Sequence, residues 1–268
     1  PGNSNIVYVA AYGPVWSEGG DRGVYKSTDG GQSWTCVKSV SSYTGCNDLV
    51  IDPRDPNVLY AAFHQRMRKV FTDIGGGPES AVYKSTDGGS TWTKLEGGLP
   101  SGDVGRIGLA VSKVNPDMVY AVVEANEGRG GIFRSTDRGA SWEKRSGNYT
   151  SGNYYNEIEC DPFNANKIYI TDTYYKVSYD GGKSVSNLGE INKHIDNHAI
   201  WVDPSDANHM LVGCDGGVYE TYDHAGSWHY KANLPVTQFY KVSTDNAYPF
   251  YNVHGGTQDN LSLGGPSR

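Results

Sequence analysis

The chain has 268 residues, 35 of them Gly and 20 Tyr, and carries a formal net charge of −7. That acidity argues against a nucleic-acid partner, which would need a basic face. No run is long or apolar enough for membrane insertion, and no segment shows a sustained amphipathic helical period, which leaves an all-β reading.

From the N-terminus onward one motif recurs. Ser27-Thr28-Asp29-Gly30-Gly31-Gln32-Ser33-Trp34 is followed by Ser85-Thr86-Asp87-Gly88-Gly89-Ser90-Thr91-Trp92 and by Ser135-Thr136-Asp137-Arg138-Gly139-Ala140-Ser141-Trp142. Two degenerate copies come later, at 178–185, where Val185 replaces Trp, and at 221–228, where Ala225 replaces the second Gly. A hydroxyl, an Asp and one or two Gly suit a tight turn: Asp caps backbone N–H groups and Gly accepts positive φ. Each copy follows a short apolar run such as Val24-Tyr25 or Val82-Tyr83, so it reads as a hairpin with the Trp folded back as an apolar plug.

A second motif alternates with the first. Asp52-Pro53-Arg54-Asp55-Pro56-Asn57-Val58-Leu59-Tyr60 is its best copy, with relatives at 114–120, 161–169 and 203–211, a truncated one at 1–8 and a drifted one at 245–251. Pro with Asn or Asp between apolar runs marks turns. Equivalent apolar positions fall at Tyr8, Tyr60, Tyr120, Tyr169, Leu211 and Tyr251. Their spacing of about 40 to 60 residues, with about four strands per unit, is that of β-propeller blades.

Each unit is therefore expected to run strand a, Asp-Pro turn, strand b, variable loop, strand c, Asp-Gly hairpin, strand d. The expected boundaries are 1–38 for strands b to d of a first blade, then 46–97, 104–146, 155–188 and 197–232. Segment 236–260 starts a sixth blade. The chain reads as one propeller segment, a partial arc of a seven-bladed ring excerpted from a longer protein whose remainder closes it. Both recurrent turns then share one face, and the variable b–c and d–a loops share the other, where propellers bind ligands.

The five Asp-Gly hairpins resemble the Asp box, or bacterial neuraminidase repeat, of sialidases, sortilin-type receptors and xyloglucan-degrading enzymes. The surrounding sequence resembles secreted bacterial proteins of the sortilin-like, BNR-repeat glycosyl hydrolase type. The resemblance implies a secreted protein, extracellular, periplasmic or at the cell surface, with a glycan, protein or peptide ligand. It carries no catalytic residue over. A sialidase needs an arginine triad and a Tyr nucleophile, and Arg22, Arg66 and Arg106 sit in no motif matching that triad. Xyloglucan-degrading enzymes place their cleft between two propellers.

Candidate residues come from the variable loops and the starts of the inner strands. Glycoside hydrolysis needs two carboxyl groups across the scissile bond. Asp48, Glu157 and Asp196, with His198, are the expected catalytic groups; Asp215 and Asp259 are further mouth-facing carboxylates. Trp16, Arg66, Arg68, Arg106, Tyr155, His194, Asp215, Gln238 and Asp259 are the expected substrate contacts, with Asn260 beside the last. If 194–198 is extended, its period of two places His194, Asp196 and His198 on one face. Such a set can bind a divalent metal, perform acid–base work, or simply pack.

No CxxC or other metal spacing occurs, and no cofactor is expected. Calcium is left open wherever loop carboxylates and carbonyls meet, without a dedicated calcium loop. Cys36 and Cys46 are near enough in sequence to pair if the chain is exported, while Cys160 and Cys214 read as buried thiols. The rival function is a non-catalytic binding propeller of the sortilin type or a surface-assembly scaffold, with a factor similar to photosystem assembly propellers as a third reading.

Overall fold

The computed structural model describes residues 2–234, 237–259 and 262–268, so Pro1 and Asn260 lie outside the described residues. The chain is all-β and divides into two units, Pro1–Leu188 and Gly189–Arg268.

Among its described residues the first unit holds four blade sheets and one two-stranded hairpin. A three-stranded one contains β1 (Val7–Ala11), β2 (Gly23–Ser27) and β3 (Thr35–Lys38). Its neighbour contains β4 (Thr44–Ile51), β5 (Leu59–Gln65), β8 (Ala81–Ser85) and β9 (Thr93–Lys94). Between β5 and β8 stands a two-stranded hairpin of β6 (Met67–Lys69) and β7 (Thr72–Ile74). The next contains β10 (Val104–Val111), β11 (Val119–Ala125), β12 (Gly131–Ser135) and β13 (Glu143–Ser146). The fourth contains β14 (Ile158–Cys160), β15 (Ile168–Ile170), β16 (Lys176–Ser178) and β17 (Ser186–Asn187). Each is an antiparallel meander, the form of a propeller blade, and β10 touches both β4 and β14 along the inner edge.

The second unit holds a four-stranded sheet of β18 (Asn197–Val202), β19 (Met210–Cys214), β20 (Gly217–Thr221) and β21 (His229–Tyr230). It also holds a three-stranded sheet of β22 (Phe239–Thr244), β23 (Asn252–Thr257) and β24 (Ser262–Pro266). β24 extends that sheet past the two strands expected from the sequence.

All five hairpins close in the same way. In the second blade Ser85 Oγ donates to Asp87 Oδ1 at 2.8 Å and accepts from Gly89 N, while Thr91 N and Oγ1 donate to the two Asp87 oxygens at 2.8 and 2.6 Å. The degenerate copies keep this pattern through Asp180 and Asp223. Ala225 takes the glycine position with φ of 67°, a conformation that costs an L-residue energy. The next contact fixes the faces: Gly88 N donates to Asn57 O of the Asp-Pro turn in its own blade, as Gly30, Arg138, Gly181 and His224 do to Asn5, Asp117, Asn166 and Asn208. Both recurrent turns therefore lie side by side.

Between blades, Tyr8 Oη and Lys26 Nζ both donate to Gly88 O at 2.8 Å. Tyr60 Oη and Lys84 Nζ donate to Arg138 O at 2.9 and 2.6 Å. Tyr120 Oη reaches Ala165 O, and Arg145 takes Gly181 O. Apolar clusters fill the same seams: Tyr60, Val82, Leu109, Phe133 and Trp142 lie in one, Tyr120, Ile132, Ile158 and Ile168 in the next.

The Trp plug is uneven. Trp142 is 7% exposed inside the core, Trp92 is partly buried, and Trp34 is 41% exposed. The Trp92 and Trp142 rings each pack toward the blade before their own. Cys36 and Cys46 are not paired: Cys46 is buried in the core and Cys36 is exposed, and all four cysteines are free thiols.

Trp142→Ala is expected to cost about 3 to 5 kcal/mol, Trp92→Ala less and Trp34→Ala least, in denaturant unfolding. An equal cost at all three sites would contradict the seam-dependent packing.

The hairpin bonds from Thr91 and Ser85 hold the Asp87 carboxyl down to about 2. Its folded-state value lies below the unfolded one, so its stabilisation is complete above about pH 4 and lost as pH falls toward about 2. Melting temperatures of Asp87→Asn and the parent chain should therefore differ at neutral pH and converge in acid.

Candidate functional site

On the face opposite the hairpins, the inner strands of the first unit gather charge. β4 bulges at Asn47, whose Nδ2 donates to Ile107 O on β10 at 2.7 Å. Asp48 Oδ2 accepts Leu109 N at 2.7 Å across the same seam, and its Oδ1 accepts Leu49 N. From the other side, Asn156, with φ of 73°, donates to Arg106 O at 2.7 Å. Asn47 and Asn156 are thus spent on joining blades.

Arg106 and Glu157 meet across the β10–β14 seam, Nη2 to Oε1 at 2.5 Å. Burial pushes the Asp48 carboxyl up to about 6; its two N–H bonds oppose the shift, Glu157 adds to it and Arg106 subtracts. Glu159, two residues past Glu157 on β14, is raised by burial, with Lys113 opposing and Asp48 adding. Glu124 is raised by burial against N–H bonds from Arg106 and Gly152. An Ala Cβ at Gly105 or Gly152 would come within 2.3 or 2.0 Å of Glu124 Oε2, so both glycines make room for that carboxylate. Asp48, Arg106 and Glu157 are thus brought together. Glu159 on β14 joins them although the sequence reading passed it over; its two-residue offset from Glu157, which stands just before that strand, was the available signal.

The loops of the first two blades form a stapled platform. Arg22 is buried and donates to the carbonyls of Gly19, Tyr12, Pro14 and Ser17, so it organises its own loop and is withdrawn from ligands. Tyr12 Oη bonds His64 Nδ1, and His64 Nε2 lies 2.9 Å from Gly75 O. Burial lowers the His64 imidazole to about 4. Arg66 lies 4.6 Å over the Tyr12 ring and Arg68 5.8 Å over Trp16. Glu79 is held by Ser41 and Thr44. Tyr155 packs beside Tyr154, with ring centres 6.3 Å apart, and the Tyr154 ring is 63% exposed.

In the second unit the His194, Asp196, His198 pattern is not formed. Asp196 has φ of 63°, a left-handed conformation that breaks the extended period, and His194 Nδ1 lies 2.7 Å from Ile195 O. His198 Nε2 instead lies 2.7 Å from Asp215 Oδ1. That pair lines a cavity of about 550 Å3 with Gln238, Thr257, Gln258 and Asp259. Among the described residues no three His, Cys, Asp or Glu side chains are grouped to hold a metal ion. The described residues include no helix long and apolar enough to cross a membrane.

Antiparallel meanders packed along their inner strands define a β-propeller fold. The solved structure of a GH74 xyloglucanase from Xanthomonas campestris matches 94% of this chain over 40% of its own, with a TM-score of 0.61 and 17% identity. An ancestral GH74 enzyme matches 96% over 37% of its own chain, with a TM-score of 0.61 and 19% identity. At these identities the likeness is one of fold. A curated xyloglucanase from Hypocrea jecorina (strain QM6a) is 30% identical over 112 residues, which cover 36% of this chain and 12% of that protein. The chain thus spans a small part of that relative and well under half of the solved enzymes. No protein-family model matches the sequence.

Because Arg106 lowers and Glu157 raises the Asp48 titration, the two charges can be removed separately. Carbon-detected NMR should place the Asp48 midpoint near 6, above 6 in Arg106→Gln and below it in Glu157→Gln. A midpoint that ignores both variants would separate Asp48 from the pair.

Proposed function

We propose that this chain is part of a secreted, carbohydrate-active propeller of the Asp-box type, and that the carboxyl groups at its inner-strand starts hydrolyse a glycan. The observation that carries the proposal is the pairing of unlike carboxyl groups: Asp48, raised to about 6 by burial, beside a Glu157 held by Arg106. One carboxyl that keeps its proton to near-neutral pH and one in an ion pair are the two partners that glycosidic cleavage requires. Asp48 or its neighbour Glu159 donates the proton to the leaving oxygen, and Glu157 serves as base or nucleophile. The match to a curated xyloglucanase supports the same reading.

The second reading is a non-catalytic glycan- or peptide-binding propeller of the sortilin type. It is favoured by one observation: both Asp48 oxygens already accept backbone N–H groups.

The test is a polysaccharide-hydrolysis screen of the full-length parent protein beside Glu157→Gln and Asp48→Asn variants of unchanged melting temperature. Hydrolysis is expected to fall by roughly 10²- to 10⁴-fold in Glu157→Gln. If Asp48 is the acid, parent activity falls as pH rises through about 6, and Asp48→Asn loses that limb. Turnover unaffected by Glu157→Gln would sink the catalytic assignment. Binding without turnover would establish the second reading.

A further inference from the structure

The platform formed by the loops of the first two blades holds more positive charge than it neutralises. Arg66, partly buried between β5 and β6, spends its backbone N–H on Tyr43 O, and its guanidinium lies over the Tyr12 ring, 4.6 Å from the ring centre. Among the described residues that guanidinium has no ion pair and no side-chain hydrogen bond. The nearby Arg22 is buried and satisfied by carbonyls alone, so no carboxylate offsets its charge. The adjacent acidic side chains are engaged elsewhere: Asp21 with Tyr25, Glu18 with Tyr43, Asp73 with Arg68 at 3.7 Å, and Glu79 with Ser41.

A half-desolvated guanidinium with unspent N–H groups is an anion receptor, since its planar fork matches a carboxylate or sulfate. Two residues on from Arg66, Arg68 donates its N–H to Val15 O and lies 5.8 Å over the ring of Trp16, which is 57% exposed and offers an apolar face on which a sugar can stack. The surface is fixed before any ligand arrives. Gly19 N donates to Ser42 O, Arg68 N to Val15 O, and Tyr12 to His64 beneath. A three-arginine clamp is not available, because Arg22 is spent on its loop and Arg106 on Glu157.

We infer that Arg66 and Trp16 form a subsite for an acidic polysaccharide, Arg66 taking the anionic substituent and Trp16 the ring of a neighbouring sugar. The inference rests on the glycan reading above and narrows its ligand class. Uronate carboxylates and sulfate esters share the required chemistry.

The test is calorimetric binding of the full-length protein to polygalacturonate, its methyl-esterified form, dextran sulfate and xyloglucan, at low and high salt. Polygalacturonate or dextran sulfate should bind at least about tenfold more tightly than the two uncharged polymers, the gain expected of a charge-assisted hydrogen bond. Whichever acidic polymer binds more tightly names the substituent. Arg66→Gln, and separately Arg66→Lys in case the first variant melts early, should remove most of that preference while leaving xyloglucan binding within about twofold. Equal affinity for charged and uncharged polymers, or a preference that survives both variants, overturns the subsite and leaves the glycan reading standing. Binding of no polysaccharide removes both.

Discussion

The scaffold of the first unit depends on one backbone carbonyl per hairpin. Gly88 O and Arg138 O each receive a Tyr hydroxyl and a Lys ammonium from the blade before. The two donors stand opposite each other on adjacent strands, Tyr8 across from Lys26 and Tyr60 across from Lys84, so strand register alone brings them to the same point. A one-residue slip would turn both away. The carbonyl must in turn be held still, and the buttressing Asp of each hairpin does that. Asp87 and the Tyr8–Lys26 pair are therefore two halves of one device. At the third seam the donors change to Tyr120 and Arg145, and the acceptors shift to Ala165 and Gly181, yet the join persists.

Spending the hairpin face on blade joining leaves the opposite face free to differ from blade to blade. Its charge is not uniform. The inner edges of β4, β10 and β14 collect Asp48, Arg106, Glu157 and Glu159, and burial raises the first and last of these carboxyls. The outer loops of the first two blades collect arginines, and the carboxylates near them are held by Tyr, Ser and Thr hydroxyls or, for Asp73, by Arg68. A chain of net charge −7 that keeps an unneutralised guanidinium on a rigid surface marks that surface for an anion.

Much of the scaffold was legible because its chemistry is local. A hydroxyl two residues before an Asp, with a second hydroxyl four residues after it, closes one turn wherever it occurs, and the degenerate copies at Asp180 and Asp223 keep the same bonds. The candidate site was legible only as a set of loop and strand-start positions. Asp48 and Arg106 were expected as mouth residues, but nothing in their neighbours tells that one would join blades and the other pair with Glu157. The His194, Asp196, His198 reading failed at a single backbone angle, because an extended period cannot pass through a left-handed residue.

The sequence by itself determined the hairpins, the Asp-Pro turns, the strand period and hence the propeller class, since each follows from contacts within a few residues. Tertiary structure decided which polar groups are consumed by the scaffold and which are left to act. Arg106 and Glu157 are 51 residues apart and meet only because successive inner strands pack edge to edge. His198 finds Asp215 rather than Asp196 because β18 pairs with β19. Arg66 lacks a counterion because the carboxylates around it found hydroxyls or another arginine first. Those outcomes depend on distances that no local pattern encodes.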